Sequence, residues 1–180
     1  MKKTAPPSIA NFPRGGLHKV YLYVDGSCSV NPGEGGAGVV IKDEQGRILS
    51  RIKRYLGSVT NNRAEYQALI VGLQEAEKLG AKEVEAYLDS ELVANQVNGL
   101  YRVTAATLKT LQEEVRRRLG HFARWVIRYI PREENKEADR LAREAVREKV
   151  DSVVAGPQRE DQRKVRAPEG TMVANGDYPS

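Results

Sequence analysis

The chain has 180 residues, 40% of them hydrophobic and 29% charged, which is enough for one packed domain and too little for two large ones. No apolar run approaches the ~20 residues of a membrane-spanning helix, and the opening MKKTAPPSIANFPRGG lacks the apolar stretch of a secretory signal. One cysteine and two histidines exclude an internal disulfide and a Cys- or His-rich metal site, so a cytoplasmic setting is expected, while the net charge of +5 suits a polyanionic partner and an ordinary solvated surface equally well.

Residues 1–18, rich in Pro, Gly and polar types, read as a flexible arm. The body, residues 19–150, opens with a strand over His18–Asp25, where Val20, Leu22 and Val24 alternate with Tyr21 and Tyr23. A Gly-rich turn, Asn31–Gly36, leads into two apolar runs, Ala37–Lys42 and Arg47–Tyr55, joined as a hairpin by Asp43-Glu44-Gln45-Gly46. Thr60 is a good N-cap for a long helix to about Leu79, which Gly80 would stop. A short strand follows over Glu83–Asp89. Two helices come next, one opening at Ser90 and ending before Asn98-Gly99, the other over Thr104–Leu119. A strand over His121–Ile130, in which Trp125 is expected to be core, precedes a last helix over Glu134–Lys149. Residues 151–180 keep no period among their prolines, glycines and charges and read as a mostly disordered tail. The order β-β-β-α-β-α-α-β-α predicts an α/β fold: a five-stranded mixed sheet, an antiparallel meander followed by parallel strands, flanked by helices.

Gly33-Glu34-Gly35-Gly36-Ala37-Gly38 fits the G-x-G-x-x-G pattern of dinucleotide-binding loops. A helix must follow that loop to meet the pyrophosphate, whereas a strand, Val39-Val40-Ile41, follows here. A glycine turn between two strands is the better reading.

The carboxylates carry more. Asp25 and Asp89 each end a strand, where ligands bind in α/β sheets, although each alone also fits a turn or cap. Glu65 shares its helical face with Leu69, Gly72, Leu73 and Ala76, and a carboxylate on a buried face needs compensation, either from a basic residue such as Arg63 or from a bound cation. Asp139 shares a face with Ala142 and Val146; its place near a helix N-terminus supplies an electrostatic reason of its own. If the strands of Asp25 and Asp89 are neighbours, the four acids converge and repel unless cations hold them. Hard oxygen ligands suit Mg²⁺ or Mn²⁺, and two such ions would activate water against a phosphodiester.

These residues resemble the motifs of the type 1 ribonucleases H. Asp25-Gly26-Ser27-Cys28 with Asn31-Pro32-Gly33, Gly35-Gly36 and Gly38 is similar to the first, Thr60-Asn61-Asn62-Arg63-Ala64-Glu65 to the second, Leu88-Asp89-Ser90 to the third, and Asn135 with Glu137-Ala138-Asp139 and Leu141-Ala142 to the last. The resemblance spans residues 19–150. It implies the ribonuclease H fold and cleavage of the RNA strand of RNA–DNA hybrids, leaving 5′-phosphate and 3′-hydroxyl ends. It also implies two Mg²⁺ or Mn²⁺ ions held by the catalytic acids Asp25, Glu65, Asp89 and Asp139. Cys28 and Asn31 match positions that follow the RNA strand, Asn61 and Asn62 minor-groove contacts, and Thr60 a DNA-phosphate contact. Short polar groups of this kind read 2′-hydroxyls in a shallow minor groove rather than base sequence. Asn61 and Asn62 also suit helix capping, and Cys28 also suits inert packing.

Three departures stand out. The loop Ile130-Pro131-Arg132-Glu133-Glu134-Asn135 lacks the histidine many relatives carry before the last acid. Asn98–Gly120 is too short for a Trp-bearing basic protrusion, and Ser58 replaces the basic residue some relatives place before Thr60. The pattern is that of handle-less bacterial and archaeal members, some of which also cut double-stranded RNA. A monomer is expected. A related nuclease for RNA duplexes or DNA junctions, and an inactive hybrid-binding module, are the competing expectations.

Overall fold

Val20, Leu22 and Val24 are fully buried while Tyr21 and Tyr23 are half-buried, so the first strand sits centrally with one face against a core and the other partly covered. This computed structural model describes residues 17–156. Residues 1–16 and 157–180, which hold most of the expected arm and tail, lie outside them.

The strands are β1 (Lys19–Cys28), β2 (Gly33–Lys42), β3 (Ile48–Val59), β4 (Glu83–Leu88), β5 (Arg124–Tyr129) and β6 (Ser152–Ala155). They form one mixed sheet in the order β5-β4-β1-β2-β3-β6. β1, β2 and β3 make the antiparallel meander, and β4 and β5 add in parallel beside β1. The expected fold class holds, with a sixth strand beyond the five expected. β6 lies in the segment read as tail, where it pairs antiparallel with β3, Val153 opposite Ile52. Four residues without amphipathic period carry too little local signal to mark a strand; an available edge supplies the backbone partners.

The helices are α1 (Asn61–Lys78), α2 (Glu91–Val97), α3 (Ala106–Leu119) and α4 (Lys136–Glu148). Thr60 caps α1, its side-chain oxygen accepting from the Arg63 backbone N–H, and Gly80 follows the helix in the left-handed region at φ +74°. Ser90 caps α2 in the same way. α1 lies on the face of Leu22, Val24 and Val39; α3 packs outside it, and Tyr66, Leu69, Leu73, Val115 and Leu119 close this core. α4 lies across the other face of the meander. Lys149, left-handed at φ +50°, turns the chain from α4 into β6.

Two expectations need correction. The glycine run is not a turn: Gly33–Gly38 are strand residues of β2, and the turn is confined to Ser29–Pro32. A Cβ at Gly38 would stand 2.0 Å from the Ala138 carbonyl oxygen, and one at Gly36 2.2 Å from that of Ala142. The missing side chains let α4 lie directly on the strand, and Arg51–Glu137 (2.7 Å) and Lys53–Glu148 (2.6 Å) pairs fasten it to β3. Trp125 is not core either. It sits on β5, the edge strand, and is 41% exposed because no strand lies beyond β5 among the described residues to cover that flank.

Gly38→Ala should lower stability by about 1–3 kcal/mol, since its Cβ meets backbone rather than a side chain that could swing away; urea melts with m unchanged would register it. A chain ending at Val150 should melt several degrees below one ending at Gly156, because it loses β6 and opens the β3 edge. Equal melting temperatures would show that β6 contributes nothing.

Candidate active site

The parallel pairing of β1 with β4 sets Val24 beside Leu88, and so brings Asp25 next to Asp89 at the same end of the sheet. α1 then crosses β1 at Gly26, where a Cβ would stand 2.1 Å from the Ala64 carbonyl carbon and 2.3 Å from the Glu65 nitrogen. This contact between two backbones delivers Glu65 to Asp25. Carboxylate oxygens of Asp25, Glu65 and Asp89 all lie within 4.8 Å of one another.

Asp139 reaches the site from α4. The N-terminal end of that helix is fastened by Asn135, 1% exposed, whose side-chain N–H donates to the Val24 carbonyl oxygen at 2.8 Å. A 3₁₀ turn over Arg132–Glu134 leads into it. Asp139 stands outside the three-carboxylate cluster, and one of its oxygens accepts from Arg132 Nη2 at 3.0 Å and from Arg143 Nε at 3.1 Å. Of the four acids expected to converge, three meet and the fourth flanks them, held by two guanidinium groups.

The electrostatics are unfavourable for four bare anions. Asp25 is 3% exposed; burial first, then the charges of Asp89 and Asp139, push its pKa from an ordinary 3.8 up to about 7, against a smaller opposing effect of Arg132. Glu65 is raised by burial and then by Asp25 and Asp89, partly offset by the Gly26 backbone N–H. No ion pair reaches Glu65 among the described residues, so the expected partner Arg63 does not supply the compensation. One oxygen of each, Asp25 Oδ2 and Glu65 Oε2, is buried without a hydrogen-bond partner among the described residues. Such orphaned anionic oxygens are costly unless something binds them.

The expected substrate-facing residues gather beside this cluster. Cys28 donates its thiol to the Val59 carbonyl oxygen at 3.4 Å, and burial raises its pKa. Asn31 Oδ1 accepts from the Asn61 backbone N–H at 3.1 Å, capping the first turn of α1 and joining the β1–β2 turn to the start of that helix. Asn31 and Asn61 are exposed and Asn62 and Thr60 half-buried, leaving a polar rim of side-chain amides and a hydroxyl along one side of the acids. Ser58 is exposed on β3.

Sequence reasoning placed Gly26 and Asn135 in the family motifs without a structural role and passed over Arg143. Asn135 carried one usable signal, an Asn at a helix start. The other two matter through contacts between elements far apart in the chain.

The comparisons with known proteins agree with this fold. The "Reverse transcriptase-like" family model matches residues 23–145. Ribonuclease HI of Halobacterium salinarum is 37% identical over 133 residues, covering 74% of this chain and 66% of that protein. Its crystal structure superposes with a TM-score of 0.71 over 72% of this chain and 98% of the other. A ribonuclease H1 named LC11, solved in complex with an RNA/DNA hybrid, is 39% identical with a TM-score of 0.69, covering 72% of this chain and 98% of that one. A bifunctional protein of Mycobacterium tuberculosis is 37% identical over 138 residues, but the match spans only 38% of its length. No helix among the described residues is long and apolar enough to cross a membrane.

The raised Asp25 pKa sets a direction for stability. The folded chain holds a proton that the unfolded chain releases above about pH 4, so the contribution is full below that point and is lost as pH rises through 7. In EDTA, the native chain should therefore lose melting temperature from pH 5 to pH 8 by several degrees more than Asp25→Asn does. Parallel pH curves for the two proteins would refute the assignment.

Proposed function

Since the chain belongs to the type 1 ribonuclease H family, we propose that it is an endonuclease that hydrolyses the RNA strand of RNA–DNA hybrids, leaving 5′-phosphate and 3′-hydroxyl ends. The single observation that carries the proposal is the trio of Asp25, Glu65 and Asp89 at one end of the sheet, with two buried oxygens that have no partner among the described residues. A chain with only a binding role would have no need for so repulsive a group at that point.

The donor set fits divalent metal. It is all carboxylate, hard, and preorganised by β1, β4 and α1, which suits Mg²⁺ or Mn²⁺ and not a soft ion. Asp25, Glu65 and Asp89 would hold such ions, with Asp139 completing a two-ion site from the flank. Two ions bound there would supply charge stabilisation to an attacking water and to the leaving 3′ oxygen.

The chain's own groups bind and orient. Thr60 uses a lone pair to cap α1 and keeps its hydroxyl hydrogen to donate to a DNA phosphate. Asn31 accepts through Oδ1, leaving its side-chain N–H groups for the RNA strand, which Cys28 also borders. Asn61 and Asn62, in the first turn of α1, face the minor groove. 2′-Hydroxyls displayed in that groove distinguish RNA from DNA without base readout. Arg132 stands on Asp139 in the loop where many relatives have a histidine; a guanidinium cannot shuttle a proton near neutral pH, so its contribution is charge.

The test is a substrate panel: a uniform RNA–DNA hybrid, the matched RNA duplex and the matched DNA duplex, each in Mg²⁺, Mn²⁺ and EDTA. Internal cuts confined to the RNA of the hybrid, absent in EDTA, are expected. Equal cutting of the RNA duplex would widen the substrate class, and hybrid binding without cutting in either metal would overturn the catalytic reading. Asp25→Asn should lower turnover at least about 10²–10³-fold, the scale of removing one preorganised electrostatic group, while hybrid binding changes little.

A further inference from the structure

Beside the carboxylate cluster lies a cleft of about 120 Å³, lined by Ser27, Cys28, Ser29, Arg143 and Val146. It separates the end of β1 from the middle of α4. Its lining is unlike that of the neighbouring carboxylates: one arginine, two serines flanking Cys28, and an apolar floor from Val146, with no acid among them; the Cys28 thiol itself is turned to the Val59 carbonyl oxygen. The smaller cleft on the other side of α4's first turn, about 50 Å³, sets Glu134 and Glu137 against the single base Lys42 and is the poorer place for an anion.

Arg143 has a particular geometry here. Its Nε is spent on Asp139 at 3.1 Å, whereas Nη1 and Nη2 have no hydrogen-bond partner among the described residues. The bond to Asp139 steadies the planar fork and leaves its two outer nitrogens as donors. Asp139 does not need Arg143 alone, since Arg132 Nη2 reaches the same oxygen at 3.0 Å. The Ser27 and Ser29 hydroxyls, at the far wall, likewise have no side-chain hydrogen bond among the described residues. A fork of guanidinium donors opposite hydroxyl donors is the arrangement that recognises a phosphate oxygen pair.

We propose that this cleft is a phosphate subsite, in which Arg143 with the Ser27 and Ser29 hydroxyls grips one backbone phosphodiester of the RNA strand next to the cleavage point. The assignment of strand rests on the hybrid-cleaving reading above, through Cys28, which lies both in this cleft and on the expected path of the RNA. Arg143 is a binding residue in this scheme: it fixes the strand relative to Asp139 and takes no part in bond cleavage.

The test measures binding of a labelled RNA–DNA hybrid to the full chain in EDTA, where nothing is cut, across a series of salt concentrations. Each phosphate neutralised by the protein adds nearly one unit to the slope of log K against log salt. Arg143→Ala should weaken binding several-fold and reduce that slope by about 1, while Arg117→Ala, which removes a charge on α3 far from the cleft, should leave it unchanged. Arg143→Lys should keep most of the slope. Ser29→Asp, on the exposed β1–β2 turn and so without consequence for folding, should weaken binding more than Ser29→Ala. An unchanged slope and affinity for both Arg143→Ala and Ser29→Asp would overturn the proposal, and would mean that Arg143 serves Asp139 alone. The binding readout stands apart from cleavage: a native chain that fails to cut the hybrid but shows the slope difference would refute the catalytic reading and keep the subsite.

Discussion

Of the places where helix backbone touches strand backbone, the two that flank Asp25 fix the position of the acids. At Gly26 the first helix meets β1, and at Gly38 the last helix meets β2, with no room for a Cβ at either point. Gly26 sits next to Asp25 in sequence, and Gly38 is its cross-strand partner. The contacts therefore press helices from both faces of the sheet onto the same residue. Glu65 arrives with one helix and Asp139 with the other. A methyl group at either glycine would move a carboxylate by more than such chemistry tolerates.

The closeness has an electrostatic consequence. Three carboxylates share a small volume at the sheet end, and none of them has an ion pair among the described residues. Asp139 is the exception, neutralised by Arg132 and Arg143. The site is thus divided into an anionic part and a guanidinium-rich flank. A phosphodiester laid across the boundary would meet both. The Asn31–Asn61 hydrogen bond, from the β1–β2 turn to the start of α1, and the Cys28–Val59 bond, between the ends of β1 and β3, keep the polar rim in place beside it, so the parts that would grip nucleic acid rest on the same framework as the acids.

The framework is asymmetric in how it is held. The face under α1 and α3 is an apolar core of branched side chains, stabilised by burial. The face under α4 has glycines, alanines and rim ion pairs to β3 and β2. Its contacts are close but carry little apolar area. α4 is accordingly the element whose position depends most on exact fit, and it is the one that carries Asp139 and Arg143.

Much of this could be read from the chain alone. The order of elements, the cap at Thr60, the stop at Gly80 and the four acids follow from local periodicity and residue type, because hydrogen bonding and burial act there over a few neighbouring positions. Glu65 could be singled out because a carboxylate on an apolar stripe is wrong for a plain core. What the sequence could not decide is what depends on distant partners. The glycines of β2 looked like a turn because nothing near them in the chain reveals a helix a hundred residues away. Trp125 looked like core because exposure on an edge strand depends on which elements lie beside it. β6 was invisible because four residues form a strand only when an open edge awaits them. Asp139 was expected to converge with the other three acids, and the fold sets it at their flank with two arginines on it. The residue types that make the chemistry possible are written locally; their convergence, their desolvation and the cleft beside them arise only when the sheet closes between its helices.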